Sequence, residues 1–471
     1  DLMPEILFFL KKLKSENIEF FIVSHKTKYG HFDNKKNPLR IRSTEWMKKN
    51  NFFNDKIGLK KENLFFTDTR DEKVRIISDL KCDYFIDDLS EVLVHKKFPK
   101  NTKKILFSSV KNLQYKNIKI FNSWRAIYNF FFKSYNESDI LNILNDFVKL
   151  DFKSLVKISG NGNSQVFEAK SLRGDLYFIK LYPDMAEDIR SRLLNEFRSL
   201  KYLNKNEISN VPTPIKKIDN LNIGVYSWIY GSQNFKVTNH DLKEILNFIK
   251  KLKNLSNEKK FSKRIIASEA CFCPSDIINQ IDRRLENYKI LALHNQELMF
   301  FLKNDFEPLY ENAKKKIYGK FNATYLTKKI NQDNMILSPS DFGFHNAIKK
   351  NNLISFFDFE YFGWDDPVKL TADFIWHPAM KLNKIHQQMW INKMKCFFSK
   401  DKDFISRLSV SFPLFGIRWI MIILNVFHPN LMTKKNKTKL INDYLDEDIL
   451  KNKINLSKKY CVRIDKLLNE Y

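Results

Sequence analysis

The chain has 471 residues, with 81 lysines and arginines against 54 aspartates and glutamates, which gives a formal net charge of +27 at pH 7. Hydrophobic residues make up 43% and aromatic residues 14%. This composition excludes a disordered chain and leaves room for two or three domains with cores of their own. The positive charge suits an anionic partner, but the lysines are spread along the chain rather than gathered in one arm. Nucleic acid is therefore not expected as a partner.

The cysteines and the apolar runs indicate the compartment. The five cysteines are scattered, odd in number and without partners at zinc-ligand spacing, which predicts a reducing, cytoplasmic setting. One apolar run, 410–427, is long enough to be considered as a membrane span, but Arg418, Pro413 and Gly416 interrupt it. We therefore expect a buried helix there and no transmembrane segment. The oligomeric state is left open.

Short apolar runs of β type alternate with helical patterns through residues 1–133. This alternation predicts an α/β domain with a doubly wound parallel sheet, whose functional groups lie at the carboxyl ends of the strands. A hydroxyl group follows the first strand, a lysine opens the helix before the third strand, and an acidic pair follows the third strand. These candidate residues are Ser24, Lys73, Asp87 and Asp88.

In this order, the four residues resemble three of the four motifs of the haloacid dehalogenase superfamily of phosphatases. The resemblance implies that Ser24 and Lys73 hold a phosphate group and that Asp87 and Asp88 hold Mg²⁺. The superfamily's first motif, a strand ending in Asp-x-Asp that supplies the nucleophile, is absent from the given residues. We therefore expect no aspartyl-phosphate intermediate from this chain. The alternatives are a chain trimmed at its start, which would be a bifunctional phosphatase–kinase in full, a non-catalytic relic, and a generic domain whose acidic pair caps a loop.

A second set of candidate residues lies in 336–367, where two short apolar runs around a polar turn predict paired strands. Asp341 and Asn346 come before the first strand, and Asp358 follows the second. Transfer of a phosphoryl group from ATP needs one carboxylate to orient the acceptor hydroxyl, and an Asn with a second Asp to hold Mg²⁺. Asp341 is thus the candidate catalytic residue, and Asn346 and Asp358 are the candidate metal ligands. A loop with two Asx turns is the alternative.

The segment from 157 to 229 supplies candidate nucleotide-binding residues. Lys180 lies on a predicted strand, and Glu196 lies on the apolar face of the following helix. A carboxylate buried there needs a partner, and Lys180 is the obvious one. Backbone N–H groups of a Gly-x-Gly turn before the strand can cover phosphates. The full set of candidates is Gly160, Gly162, Ser164, Lys180, Glu196, Ser227 and Ile229. The alternatives are a plain hairpin turn, a solvated lysine and a Glu196 that faces water.

These landmarks, in this order, resemble the aminoglycoside phosphotransferase-like branch of the protein-kinase fold, which includes choline kinase-like enzymes. The resemblance implies an α+β two-lobed domain, with an N-lobe at 139–235 and a helical C-lobe at 236–471. It also implies ATP and Mg²⁺ as cofactors, adenine bound at the hinge near Ser227 and Ile229, and a small-molecule hydroxyl as acceptor. Pro339-Ser340 replaces the His-Gly that the branch carries before its catalytic Asp.

The acceptor expected from this resemblance is a sugar, an amino sugar or a choline-like alcohol. The order of the two domains is similar to that of uncharacterised bacterial proteins encoded near surface-polysaccharide genes, which implies a role there by analogy only. The rival interpretation is a nucleotide-binding pseudokinase or scaffold, because of Pro339-Ser340 and the absent nucleophile motif.

Overall fold

The structure is a computed structural model that describes residues 2–3, 5–30, 36–110, 115, 117–132, 135–158, 164–183, 191–262, 265–380, 382–428 and 447–470. The strands in chain order are β1 (Ile22–His25), β2 (Leu64–Thr67), β3 (Tyr84–Asp87), β4 (Lys103–Phe107), β5 (Ile118–Phe121), β6 (Phe152–Ile158), β7 (Gln165–Ser171), β8 (Leu176–Leu181), β9 (Pro214–Ile218), β10 (Ile223–Ser227), β11 (Ile336–Ser338), β12 (Ala347–Lys350), β13 (Leu353–Phe356) and β14 (Gly363–Asp365).

The helices in chain order are α1 (Ile6–Ser15), α2 (Leu39–Lys49), α3 (Arg70–Asp79), α4 (Ser90–Leu93), α5 (Trp124–Phe132), α6 (Glu137–Val148), α7 (Arg192–Lys205), α8 (Asn239–Asn257), α9 (Pro274–Ala292), α10 (Gln296–Phe301), α11 (Glu307–Lys320), α12 (Ala323–Thr327), α13 (Pro367–Trp376), α14 (Lys384–Phe397), α15 (Phe404–Ile423) and α16 (Glu447–Asn469). A single turn of π-helix joins α10 to α11.

The first five strands pair in parallel, as the sequence predicts, but in two sheets, β1–β2 and β3–β4–β5. The predicted single sheet is not formed within the described residues, because β1 and β3 share no ladder. Side chains connect the two sheets instead. Helix α3 contacts β1 and β2, while its Val74 and Ile77 enter the same apolar cluster as Leu106 of β4.

The three-stranded sheet is covered on both faces. Ile105 points into one apolar cluster, with α1, α5 and α6, and its neighbour Leu106 points into another, with α3 and α4. Successive side chains of a strand point to opposite faces, so the two assignments fit one buried strand between two helical layers. Helices therefore lie on both faces of this three-stranded sheet.

The α5–α6 segment joins the N-terminal module, residues 2–132, to the next sheet. One apolar cluster runs from Ile127 and Ile140 of these helices to Ile179 and Val225 of the sheet beyond them. Buried Arg125 of α5 donates to the backbone oxygen of Tyr182 over 3.1 Å. The module and the sheet therefore share a core across the segment 133–139.

Strands β6 to β10 form one antiparallel sheet with the order β6–β7–β8–β10–β9. Helix α7 lies against it through contacts with β9 and β10. Because side chains alternate along β8, Ile179 faces the cluster shared with the N-terminal module, and Lys180 faces the opposite side. This sheet and α7 form the smaller lobe, and the helices from α8 onward form the larger one.

The larger lobe is built around α15, which contacts α9, α13 and α16. The segment Phe404–Phe427 is long and apolar enough to cross a membrane by length and composition, but 72% of its most apolar window is buried inside the protein. Arg418 within it pairs with Asp373 of α13 over 2.7 Å. These contacts suit the core helix that the sequence predicts.

Candidate active site

Lys180 lies at the centre of a buried cluster of charges between the two lobes. Its Nζ is 2.8 Å from Glu196 Oε2, 2.6 Å from Asp358 Oδ1 and 3.0 Å from Glu360 Oε2. The predicted Lys180–Glu196 pair is thus present in the structure, and so is a contact between Lys180 and Asp358. Glu360 joins the cluster as a third carboxylate. We call Lys180, Glu196, Asp358 and Glu360 the Lys180 cluster.

Helix α7 fixes both the cluster and the segment that follows β13. Glu196 accepts the backbone N–H of Phe359 through Oε1 over 3.0 Å, and its Oε2 accepts the hydroxyl of Tyr182 over 2.6 Å. One turn earlier, Arg192 lies 2.5 Å from Glu360. Arg192 and Glu196 are four residues apart and therefore face the same side of the helix. That spacing was the signal that could have added Arg192 to the predicted set.

The Lys180 cluster holds more negative than positive charge, and its pKa values reflect this. Burial, together with the nearby charges of Glu360 and Glu196, raises the pKa of Asp358 to about 7 against the attraction of Lys180. Burial alone would lower the pKa of Lys180, but the three carboxylates raise it well above its usual value. The lysine therefore stays charged, and the half-buried Asp358 is the group that a further cation would stabilise.

The β12–β13 hairpin carries the second part of the site. Asn346 lies at its start, donates from Nδ2 to the backbone oxygen of Asp341 over 3.0 Å, and receives the N–H of Phe357 on its own backbone oxygen over 3.0 Å. Its side-chain oxygen accepts no hydrogen bond from the described residues. The hairpin thus places Asn346 beside Asp341 and ties it to the segment that leads to Asp358, as the sequence predicts.

The loop before Asp341 is braced by Ser340. Its backbone has a φ of 68°, a left-handed conformation that favours glycine, the residue the phosphotransferase-like branch carries here. The Ser340 hydroxyl donates to the backbone oxygen of Ser268 and accepts from Lys369 Nζ, each over 2.9 Å. Lys369 is itself buried and lies 3.0 Å from Asp365. The loop before Asp341 is therefore held by the Ser340 side chain, in addition to the fixed φ of Pro339.

Two histidines that the sequence analysis did not single out contact Asp341. His345 Nε2 is 2.9 Å from Asp341 Oδ1, and His377 Nε2 is 3.8 Å from the same oxygen. Burial would raise the pKa of Asp341, but the hydrogen bond and charge of His345, with smaller effects from His377 and Lys369, lower it below the usual value. Asp341 is therefore a carboxylate near neutral pH. The position of His345 beside Asn346 was the one signal in the sequence.

The other predicted nucleotide-binding residues differ in where they lie relative to the Lys180 cluster. Gly160 and Gly162 lie outside the described residues. Ser164 Oγ lies 3.4 Å from Glu360 Oε2, so it borders the Lys180 cluster. Ser227 ends β10 and exchanges hydrogen bonds with Thr213. The backbone of Ile229 has no hydrogen bond to any other described residue, so its N–H and C=O are available.

The segment after β10 also connects the lobes. Ser232 and Lys349 form an antiparallel bridge with both N–H···O bonds at 2.9 Å. Gly231 just before it has a φ of 141°, and a Cβ there would come within 2.5 Å of the Lys349 backbone oxygen. Glycine is therefore required for this close approach, which holds the predicted hinge against the hairpin that carries Asn346.

In the N-terminal module the structure brings together two of the four predicted residues. Lys73 Nζ is 2.5 Å from Asp87 Oδ2, and both side chains are buried. Asp87 Oδ1 also accepts the N–H of Leu89 over 3.0 Å. Asp88 is exposed, and no hydrogen bond or ion pair among the described residues joins Ser24 to the pair. The resemblance of this module to the haloacid dehalogenase superfamily stays a prediction.

The chain is similar in structure to small-molecule kinases. Spectinomycin phosphotransferase APH(9)-Ia, in complex with ADP and spectinomycin, is 15% identical over 70% of this chain and 99% of its own, with a TM-score of 0.49. Choline kinase from Cryptosporidium parvum Iowa II is 12% identical over 71% and 97%, with a TM-score of 0.46. Macrolide 2′-phosphotransferase MphH from Brachybacterium faecium is 12% identical over 65% and 99%, with a TM-score of 0.41.

No protein-family model matches the chain, and no curated protein matches it significantly. The solved structures share little sequence with the chain, and their TM-scores lie below 0.5.

Proposed function

We propose that the chain is an ATP- and Mg²⁺-dependent phosphotransferase with a two-lobed, protein-kinase-like domain, and that it acts on a hydroxyl group of a small molecule. The observation that carries the proposal is the Lys180 cluster, in which one buried lysine from β8 meets carboxylates from α7 and from the segment after β13. A lysine paired with a helix glutamate, facing a metal-binding aspartate, is the arrangement that phosphoryl transfer from ATP requires.

The residues present fit magnesium and a nucleotide. Asp358 supplies a carboxylate whose pKa is raised by burial and by the nearby charges of Glu360 and Glu196, and the nearby hairpin supplies the amide oxygen of Asn346. Oxygen ligands of this kind suit Mg²⁺, which commonly binds one or two protein groups together with substrate phosphates. Bound Mg·ATP supplies the phosphoryl group and neutralises charge on it during transfer.

The protein's own groups then bind and orient. Lys180 binds the phosphates and is steadied by Glu196, while Arg192 neutralises Glu360. We assign the binding of adenine to the backbone of Ile229, with Ser227 ahead of it. Asp341 accepts a hydrogen bond from the acceptor hydroxyl and orients its oxygen toward the phosphorus. Catalysis of this kind consists of positioning and charge stabilisation.

The acceptor we propose is a sugar, an amino sugar or a choline-like alcohol, and the setting is the cytoplasm. The resemblance of the sequence landmarks to aminoglycoside phosphotransferase-like enzymes supports this choice.

The test is ATP turnover with a panel of sugar, amino-sugar and choline-like acceptors. For an acceptor that is phosphorylated, we expect Asp341→Asn to lower kcat by about 10²- to 10⁴-fold, the range for loss of a general base. Asp88→Asn, in the exposed acidic pair of the N-terminal module, is the matched control and should leave kcat unchanged. An Asp341→Asn enzyme as fast as the wild type would contradict the assignment.

The second candidate function is a nucleotide-binding pseudokinase. One observation favours it: Lys180 contacts Asp358 directly over 2.6 Å, so the groups that would hold phosphate and metal neutralise each other. Thermal unfolding with and without Mg·ATP separates the candidates when combined with the acceptor panel. Stabilisation by Mg·ATP without turnover of any acceptor would favour the pseudokinase.

A further inference from the structure

The arrangement around Asp341 contains a pair of stacked histidines. The rings of His345 and His377 lie face to face, with centroids 3.8 Å apart and planes inclined by 7°. His345 follows Asp341 within the catalytic loop, whereas His377 comes from the end of α13. Both present Nε2 to the same carboxylate oxygen, Asp341 Oδ1, at 2.9 and 3.8 Å. Two separate segments thus converge on one atom of the proposed catalytic residue.

Hydrogen bonds on the far side of the rings indicate which nitrogen carries the proton. The N–H of Ala379 donates to His377 Nδ1 over 3.2 Å, so Nδ1 is an acceptor and the proton lies on Nε2. His345 Nδ1 is buried without a partner among the described residues, which also favours a proton on Nε2, facing the carboxylate. Each ring therefore directs an N–H toward Asp341 Oδ1.

The same geometry leaves the second oxygen of Asp341 free. Oδ2 has no hydrogen bond or ion pair to any described residue, and the Asp341 side chain is 39% exposed. A carboxylate fixed through one oxygen cannot rotate without losing those bonds. Its other oxygen then points in one direction, which is the condition for aligning an incoming hydroxyl group.

His377 is itself held firmly by neighbouring helices. The Trp419 ring of α15 meets it edge to face at 4.7 Å, and Trp419 Nε1 donates to Asp373 Oδ1 over 2.8 Å. Burial and the nearby His345 lower the pKa of His377 to about 4, so the ring is neutral near pH 7 and keeps the tautomer set by Ala379.

A metal ion is the other use of such a group, because Asp341, His345 and His377 offer ligand atoms within 4.8 Å of one another. The hydrogen bond from Ala379 to His377 Nδ1 argues against it, because it leaves the proton of His377 on Nε2, the atom that would face the metal. A metal ligand needs an unprotonated nitrogen.

We propose that His345 and His377 are positioning residues that hold Asp341 through Oδ1 and so aim Oδ2 at the acceptor hydroxyl. The proposal rests on the proposed phosphotransferase function. It assigns the orientation of Asp341 to these histidines, while the backbone of the preceding loop is fixed by Pro339 and Ser340.

The experiment measures kcat and the KM for ATP of His345→Leu, His345→Gln and His345→Asn with an acceptor that the wild type phosphorylates. The glutamine amide nitrogen matches the position of Nε2, and the asparagine nitrogen matches that of Nδ1. We expect kcat to fall by about 10- to 100-fold in the Leu and Asn variants, the scale for a displaced catalytic group. The Gln variant should recover most of it, with the KM for ATP unchanged in all three.

For His377 the variants are His377→Leu and His377→Gln. We expect a smaller fall in kcat than for His345, because Nε2 of His377 is farther from Asp341 Oδ1. The control is His294→Leu, an exposed histidine after α9, which should match the wild type. If His345→Asn equals His345→Gln in kcat, the inference is overturned, even where the Leu variants fail to fold. A wild type that transfers phosphate to no acceptor overturns the proposed function instead, so the two failures are distinguishable.

Discussion

Two of the buried lysines, Lys73 and Lys180, meet carboxylates in surroundings whose balance of charge differs. In the N-terminal module Lys73 has one partner, Asp87, at 2.5 Å, and the side chains are only 8% and 3% exposed. Between the lobes Lys180 is 5% exposed and meets three carboxylates, one of which, Asp358, is 31% exposed. One site is closed and electrically neutral, whereas the other is open and has surplus negative charge.

A single buried ion pair and a cluster with surplus carboxylates have different electrostatic consequences. In a single buried pair each charge is satisfied by its partner. In the Lys180 cluster, burial and the charges of Glu360 and Glu196 together raise the pKa of Asp358, its most accessible member, so a further cation would stabilise the ionised form. Surplus charge at an opening therefore marks the site where chemistry is expected.

The largest effect on activity is expected when Lys180 is replaced. In Lys180→Met the proposed phosphate contact and the partner of three carboxylates disappear together. We expect kcat/KM to fall by about 10³-fold, roughly 4 kcal/mol, as when a key charge-stabilising group is removed. Steady-state kinetics with Mg·ATP gives the value. A fall of less than about tenfold would show that Lys180 is not a phosphate ligand.

Lys73→Met tests the closed pair and should act on stability alone. It leaves Asp87 buried without its partner, which costs about 3–4 kcal/mol of unfolding free energy. Urea unfolding measures this, and the nucleotide kinetics of the folded fraction should match the wild type. The double variant Lys73→Met/Asp87→Asn is the control, because it removes the unpaired charge and keeps the bond to Leu89. Most of the stability should return in it.

His377 offers a third test of how burial acts on a titratable group. It is a largely buried base whose pKa is lowered, so it is neutral near pH 7. Burial and His345 lower its pKa to about 4, against the opposing effects of Asp341 and Asp373. A depressed pKa stabilises the fold above the unfolded value of about 6.5, and this contribution is lost as the pH falls from there toward 4. Between about pH 7.5 and pH 5 the loss should be about 2 kcal/mol.

The measurement is the difference in unfolding free energy between the wild type and His377→Gln at those two pH values. The glutamine does not titrate, so the variant should lack this part of the decline while other groups titrate in both proteins. Equal declines in the two proteins would contradict the lowered pKa.

The smallest effect is expected from Tyr182→Phe, which trims the Lys180 cluster without removing a charge. Tyr182 shares Glu196 Oε2 with Lys180, so its loss loosens the carboxylate that steadies the lysine. We expect kcat/KM to fall by about tenfold, roughly 1.4 kcal/mol. Tyr177→Phe, on the opposite face of β8, is the matched control and should leave kinetics unchanged. If both variants behave alike, the hydroxyl of Tyr182 has no role in the site.

Several features of the protein followed from the sequence alone, because they depend on local order. Because side chains alternate along β8, Lys180 was expected on the face of the strand that Ile179 does not occupy. Glu196 was expected to be buried because it lies within the apolar stripe of α7. Spacing from Asp341 to Asn346, followed by a predicted hairpin, was enough to bring these residues together. The parallel pairing of the first five strands followed from the alternation of strands and helices.

Only the tertiary structure decided which distant groups meet. His377 comes from the end of α13 and reaches Asp341 through packing against Trp419, and no periodicity in the sequence connects them. The division of the first sheet and the pairing of Lys73 with Asp87, without Ser24, depend on how α3 packs across two sheets. The charged partners of each lysine likewise come from segments that are remote in sequence. Burial and distance, rather than residue type, determine the energy of a charge, and both depend on the tertiary structure.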